Sequence, residues 1–253
     1  MSEAASARFR DLPAAILAGG LGRRLSPVIA DRPKALAPVC GQPFLAYVLD
    51  QLSRAGLRKA IVCTGHGGDQ IKAAFGAQFG GLALAYSREA SPLGTGGALR
   101  LALPILDAPL VLVLNGDSFA EVDLKAFWKW HRARGAAASL ALAKLPDTRR
   151  YGCVDLSERD EILKFLEKTE TAGAGWINAG VYLLNRKIIA GIPPQRPVSL
   201  EREIFPNLAG RGLCGWRSCQ RFIDIGTPES YGAAAHFLEK FRPANLLTKQ
   251  QPR

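Results

Sequence analysis

Short apolar runs alternate with segments of helical period from residue 14 to residue 143, and this alternation constrains the fold more than any other feature of the chain. Residues 14–17 are an apolar run that ends at Gly19-Gly20, the pattern of a buried strand entering a loop. Phe44, Leu45, Val48, Leu49 and Leu52 recur at helical spacing between Pro43 and Gly56, so a helix with start and stop signals is predicted there. Further strands are predicted at 60–63, 82–86, 110–114 and 138–143. Further helices are predicted at 69–75, from the glycine-rich turn 94–97 through Leu101, and across Leu124, Phe127, Trp128 and His131, with Asp123 as N-cap. Strands alternating with helices imply βαβ crossovers and a mostly parallel sheet. Ligands of such sheets bind at the carboxyl ends of the strands. The Gly19-Gly20 and Asn115-Gly116-Asp117 turns both follow strands directly, and should share one sheet edge.

The second half reads differently. Residues 152–156 and 162–165 flank the turn residues 157–160, as in a β-hairpin. Residues 176–184 are strand-like, 199–208 contain a helix, 221–225 are apolar around one acid, and Pro228 opens a last helix to about Lys240. The expected class is α/β, a Rossmann-like three-layer sandwich with a mostly parallel (mixed) central sheet. With 253 residues, 48% of them hydrophobic, the chain can bury a sizeable core, and no repeat or low-complexity linker divides it.

The charge balance is basic: 33 Lys+Arg against 22 Asp+Glu, or +11. That favours an anionic partner without choosing one. No apolar run reaches the ~20 residues of a membrane span, and residues 1–11 are not a secretory signal. Five cysteines is an odd number, which suits a reducing cytoplasm. Cys214 and Cys219 have no second Cys/His pair nearby, so no zinc is expected. His66, His131 and His236 are scattered.

Three constellations carry chemistry. The first is Leu17-Ala18-Gly19-Gly20-Leu21-Gly22-Arg23-Arg24-Leu25, followed by Arg32-Pro33-Lys34. Glycines let the backbone approach a ligand and point several N–H groups at one anion. Arg24 adds a phosphate-gripping fork and Lys34 a point charge. Neither the P-loop spacing nor G-x-G-x-x-G is present. The second is Asp117 with Asp224, each after an apolar run where a strand should end. Two such carboxylates in one crevice suit Mg²⁺, whereas separately Asp117 would cap its loop and Asp224 would pair with an arginine. The third is Glu167-Lys168 with Asn178-Ala179-Gly180: an acid and an amide can fix sugar hydroxyls and a lysine can hold a sugar phosphate, although Glu-Lys pairs are common on solvated surfaces.

The chain resembles the sugar-1-phosphate nucleotidyltransferases. The matching stretches are AILAGGLGRRL (15–25), RPKALAPVCGQPFLAYVL (32–49), SPLGTGGALR (91–100), VLNGDSF (113–119), FLEK (165–168), INAGVYLLN (177–185) and FIDIGTPESY (222–231). Arg23 stands where the family usually has threonine, while the phosphate-gripping arginine is retained as Arg24. The phrases PKALAPVCGQPFL, PLGTGGAL, INAGVYLLN and VSLEREIFP are most similar to the D-glycero-α-D-manno-heptose 1-phosphate guanylyltransferases of that family. The resemblance implies a nucleotidyltransferase type A-like fold with no C-terminal β-helix. It implies short tails at 1–12 and 241–253, and a catalytic domain at 13–240 with a nucleotide half to about 135 and a sugar-phosphate half beyond.

It also implies a cytoplasmic enzyme of nucleotide-sugar and cell-surface polysaccharide biosynthesis. Such an enzyme transfers the guanylyl group of GTP to a sugar 1-phosphate with Mg²⁺, releasing pyrophosphate. The catalytic set would be Arg24, Lys34, Asp117 and Asp224, with Asp117 and Asp224 holding the metal. The nucleotide would touch Leu17, Ala18, Gly19, Gly20, Gly22, Arg24, Lys34, Gly94, Thr95, Asn115, Gly116 and Asp117. The sugar phosphate would touch Gly152, Glu167, Lys168, Asn178 and Gly180. Other readings stay open: a mannose-1-phosphate guanylyltransferase, a uridylyl- or adenylyltransferase on a hexose or amino-sugar 1-phosphate, or a catalytically silent sugar-nucleotide sensor. No nucleic-acid or membrane partner is expected. The last helix and residues 214–220 are available as surface or as the contact of a homo-oligomer.

Overall fold

The computed structural model describes residues 8–20, 22, 24–25, 28–29, 31–166, 173–219 and 221–243. Strand β1 (Ala14–Ala18) leads to a small pair, β2 (Pro38–Val39) and β3 (Gln42–Pro43), then α1 (Phe44–Arg54), β4 (Lys59–Thr64), α2 (Gly68–Phe75), β5 (Gln78–Phe79), β6 (Leu82–Arg88) and α3 (Gly94–Ala102). Next come β7 (Leu110–Asn115), β8 (Ser118–Ala120), α4 (Leu124–Arg134) and β9 (Ala138–Leu145). The rest supplies β10 (Cys153–Leu156), β11 (Ile162–Leu166), β12 (Gly175–Asn185), α5 (Arg186–Ala190), a π-turn (Leu200–Ile204) running into α6 (Phe205–Leu208), β13 (Leu213–Cys219), β14 (Phe222–Asp224) and α7 (Pro228–Leu238).

The main sheet runs β11-β10-β12-β7-β1-β4-β6-β5, with β9 beside β12 and β13 beside β9. Its centre, β7-β1-β4-β6, is parallel. β12 joins antiparallel to β7, so one sheet runs through both halves of the chain. β1 is apolar throughout, and β4 and β7 are apolar and buried between their ends, as suits strands covered on both faces. Ala14, Ile16 and Ala18 of β1 face one core with α1, α2, α4 and α7, whereas Ala15 faces a second core with α3, α5 and α6. The sheet thus lies between two helical layers. Local signals set the helix ends: the Asp123 carboxylate accepts from Ala126 N–H at 2.9 Å at the start of α4, and Gly135 closes it with φ 60°.

Two features depart from plain strand–helix alternation, and both shape the same edge. β12 slips register between Asn178 and Tyr182, with Gly180 at φ 73° in the bulge. β8 and β14 form a separate antiparallel ribbon off the end of β7, in which Asp224 lies opposite Ser118. Asp224 therefore ends a strand, as expected, but a strand of this ribbon and not of the central sheet. The helix expected within 199–208 is a π-turn and one α-turn, because residues 198–200 are tied to the start of α3. Among the described residues, no helix is long and apolar enough to cross a membrane.

Candidate active site

The parallel order brings the carboxyl ends of β1, β4, β6 and β7 together. Gly116 N–H donates to the Leu17 carbonyl at 2.9 Å, and a Cβ at Gly116 would lie 3.0 Å from that oxygen. Glycine is thus what lets the turn after β7 cross over β1. Gly22, at φ 61°, turns the loop after β1, and buried Leu25 pins it to the core. Leu21 and Arg23 lie outside the described residues.

Lys34 opens a short 3-10 turn, and its Nζ donates to Asp117 Oδ2 at 2.7 Å. The lysine side chain is 12% exposed and the aspartate 45%, so the ammonium is shielded while the carboxylate opens to the crevice. The main chain brings in Asp224, because Ile225 N–H donates to the Asp117 carbonyl at 2.9 Å. A Cβ built on Gly226 would lie 2.5 Å from Asp224 Oδ1, 3.6 Å from Lys34 Nζ and 3.7 Å from an Arg24 guanidinium nitrogen. All four expected catalytic residues, Arg24, Lys34, Asp117 and Asp224, therefore border one space. Asp224 is also held from below: Tyr151 O–H donates to Oδ2 at 2.5 Å, Gly226 N–H to Oδ1 at 2.6 Å, and Arg150 reaches both oxygens at 3.3 Å. Burial, then the Asp224 contact, pushes the Tyr151 phenol up, so it stays a donor.

Beside this cluster is a cavity of about 450 Å³, bordered by Leu17, Gly19, Gly20, Gly22, Glu89, Pro92, Gly94, Thr95, Ala98, Asn115 and Asp117. Most of the expected nucleotide residues thus line one pocket. Gly94 is required by its φ of 71° and by the Val198 carbonyl, 2.6 Å from where a Cβ would stand. The Thr95 hydroxyl is engaged inside the protein, donating to Glu201 and accepting from Leu200 N–H. On the other side, the Gly152 carbonyl accepts from Asn178 N–H at 3.0 Å, and a Cβ on Gly180 would fall 2.9 Å from the Asn115 amide nitrogen. Gly152, Asn178 and Gly180 thereby meet the end of β7. Glu167 and Lys168 lie outside the described residues.

No side-chain nucleophile or base stands out among the described residues. Burial pushes the Cys63 and Cys219 thiols up to about 12 and the His131 ring down to about 4, with its Nδ1 on Ser139 Oγ at 2.8 Å.

A family model described as Nucleotidyl transferase matches residues 13–240. The chain belongs to this nucleotidyl transferase family. It is 34% identical over 231 residues to the D-glycero-α-D-manno-heptose 1-phosphate guanylyltransferase of Aneurinibacillus thermoaerophilus, a match covering 91% of this chain and 100% of the relative. It is 38% identical over 226 residues to the mannose-1-phosphate guanylyltransferase of Mycobacterium tuberculosis, covering 86% of this chain but only 62% of that longer relative. The fold matches the crystal structure of HddC from Yersinia pseudotuberculosis complexed with GMP-PN, with a TM-score of 0.78 and 31% identity over 91% of this chain and 100% of that one.

Glu89 lines the same pocket, and no sequence motif marks it. Glu89 follows β6 as Asp117 follows β7, and that shared position was the available signal. The residue is 8% exposed, its Oε2 accepts from Leu93 N–H at 3.0 Å, and its Oε1 would stand 2.7 Å from a Cβ on Gly19. Burial raises its pKa, partly offset by the Leu93 bond. Arg150 and Tyr151 were missed because their role comes only through contact with Asp224.

Proposed function

We propose that this nucleotidyl transferase moves the guanylyl group of GTP to a sugar 1-phosphate, with D-glycero-α-D-manno-heptose 1-phosphate as acceptor. The observation that carries the reading is the convergence of Arg24, Lys34, Asp117 and Asp224 on one space beside a glycine-walled pocket. The reaction joins a dianionic phosphate to a tetra-anionic triphosphate, so catalysis is mainly positioning and charge neutralisation. A phosphate oxygen of the sugar attacks the α-phosphorus, the bond to the β-phosphate breaks, and pyrophosphate leaves. The nucleophile is already an anion, so no side-chain base is called for.

The amides of Gly19, Gly20 and Gly22 and the Arg24 guanidinium hold the β- and γ-phosphates. Lys34 bridges the α-phosphate and the incoming phosphate. Gly152, Glu167, Lys168, Asn178 and Gly180 receive the sugar phosphate. Glu89 supports guanine. Its carboxylate only accepts, and guanine alone among the common bases offers two adjacent donors, N1–H and the 2-amino group, whereas the uracil N3–H is flanked by acceptors.

The donor set fits Mg²⁺. Among the described residues no group of three or more His, Cys, Asp or Glu side chains could hold a metal ion, and Mg²⁺ takes one or two carboxylates together with substrate phosphates and water. Asp117 and Asp224 would hold it, the latter by releasing Arg150, whose two contacts are long. When bound, the ion supplies charge neutralisation at the reacting phosphates. The five unpaired thiols suit a reducing compartment such as the cytoplasm.

The match over the full length of the heptose relative favours heptose, and the 38% identity to the mycobacterial relative makes mannose 1-phosphate the second reading. Initial rates of pyrophosphate release across GTP, UTP and ATP with heptose, mannose and glucose 1-phosphates decide between them. GTP with the heptose should be fastest; a preference for UTP or ATP would remove the guanylyl reading.

A further inference from the structure

The Glu201 carboxylate joins both sides of the site through its hydrogen bonds. Oε2 accepts from the Thr95 hydroxyl at 2.7 Å and the Ser199 hydroxyl at 2.9 Å; Oε1 accepts from the Tyr182 phenol at 3.4 Å. Thr95 lies in the first turn of α3 and lines the 450 Å³ pocket. Tyr182, fully buried in β12, accepts in turn from the Asn178 amide at 2.9 Å, and Asn178 Oδ1 accepts from Gly180 N–H at 2.9 Å. The chain of bonds therefore runs from the pocket wall through Glu201 and Tyr182 to the β12 bulge.

Its polarity is fixed. A carboxylate only accepts, so the Tyr182 O–H must donate to it, and the phenol oxygen is left to accept from the Asn178 amide. Burial, and after it the Glu201 charge, pushes the phenol well above its ordinary range, so it remains a donor. Asn178 must then turn its oxygen towards Gly180. The backbone reinforces the link: Gly96 N–H donates to the Val198 carbonyl at 2.8 Å, Val198 N–H to the Leu93 carbonyl at 2.8 Å, and Leu200 N–H to Thr95 Oγ1 at 2.8 Å. Glu201 itself sits in a π-turn, a rare form of helix often found at functional sites.

We propose that Glu201 is a positioning residue that couples the two substrate subsites, so that occupation of the α3 side by nucleotide sets the Asn178–Gly180 bulge for the sugar phosphate. The inference rests on the guanylyl-transfer reading. Ordering the shared network once lowers the cost of the second binding event, and couplings of this kind amount to roughly 5- to 150-fold in affinity.

The test measures binding by calorimetry. The affinity for heptose 1-phosphate is measured with and without saturating guanosine 5′-(α,β-methylene)triphosphate, which cannot undergo transfer. Wild type should bind the sugar phosphate about tenfold more tightly in the presence of the analogue. In Glu201→Gln and in Tyr182→Phe the factor should fall close to one, while each ligand alone binds within about threefold of wild type. Thermal unfolding confirms that each variant is folded, and Tyr182→Phe, which deletes one hydroxyl, serves if Glu201→Gln does not fold. An uncoupled wild type, or full coupling in a folded variant, would overturn the proposal. A wild type that binds neither ligand would instead overturn the guanylyl-transfer reading.

Discussion

Lys34 is aimed before any substrate arrives, since its Nζ is already held by Asp117 at 2.7 Å within a largely shielded side chain. Removing one well-placed cationic donor from such a site costs on the order of 10²–10³ in turnover. Lys34→Ala should lose that much kcat in steady-state assays, and a near-normal kcat would deny the lysine its role. Glu89 yields a prediction of a different kind. As its pKa is raised in the folded state, the protein binds more protons at this site folded than unfolded, so stability falls as pH rises from the ordinary carboxylate range through the raised value. Glu89→Gln abolishes that loss. The variant should melt above wild type at pH 7, the difference shrinking below pH 4. It should also narrow the preference for GTP over ATP, a ratio that a purely structural Glu89 would leave alone.

At the level of elements, the site hangs on a bulge and a ribbon. Gly180 has φ 73°, and a Cβ there would stand 2.7 Å from Ser118 Oγ. Gly180→Ala should therefore cost about 1–3 kcal/mol by denaturant titration and weaken sugar-phosphate binding more than GTP binding. Unchanged stability would mean that the bulge yields easily. The same two features mark the limit of what the sequence discloses. β1, β7 and α1 were legible because an unbroken apolar run or a helical stripe is long enough to show its period. The three-residue β14 cannot show one, so Asp224 could be placed at a strand end but not in its ribbon. Glu89 stands beside Arg88 at the end of β6 and reads as one more charged residue until Gly19 and Gly65 are seen to make room for it. Thr95 was legible as a pocket residue, but its engagement by Glu201, 106 residues away in sequence, was not.

Across the whole molecule, a formal charge of +11 creates a field that favours two highly anionic substrates. Salt screens such a field, so kcat/KM for GTP should fall several-fold between about 0.05 M and about 0.5 M salt, with kcat changing less. A kcat/KM that ignores salt would confine the useful charge to Arg24 and Lys34. The continuous sheet matters at this scale too, because β12 pairs with β7 and so brings Gly152, Asn178 and Gly180 to the end of the strand that carries Asn115, Gly116 and Asp117. The central claim is that the phosphorus attacked is the α-phosphorus and the acceptor is a sugar phosphate. Incubation with GTP labelled at the α-phosphate, heptose 1-phosphate and Mg²⁺ tests it directly. The label should pass into GDP-heptose, with one unlabelled pyrophosphate released per label transferred; label recovered only in GTP, GDP or GMP would contradict the account.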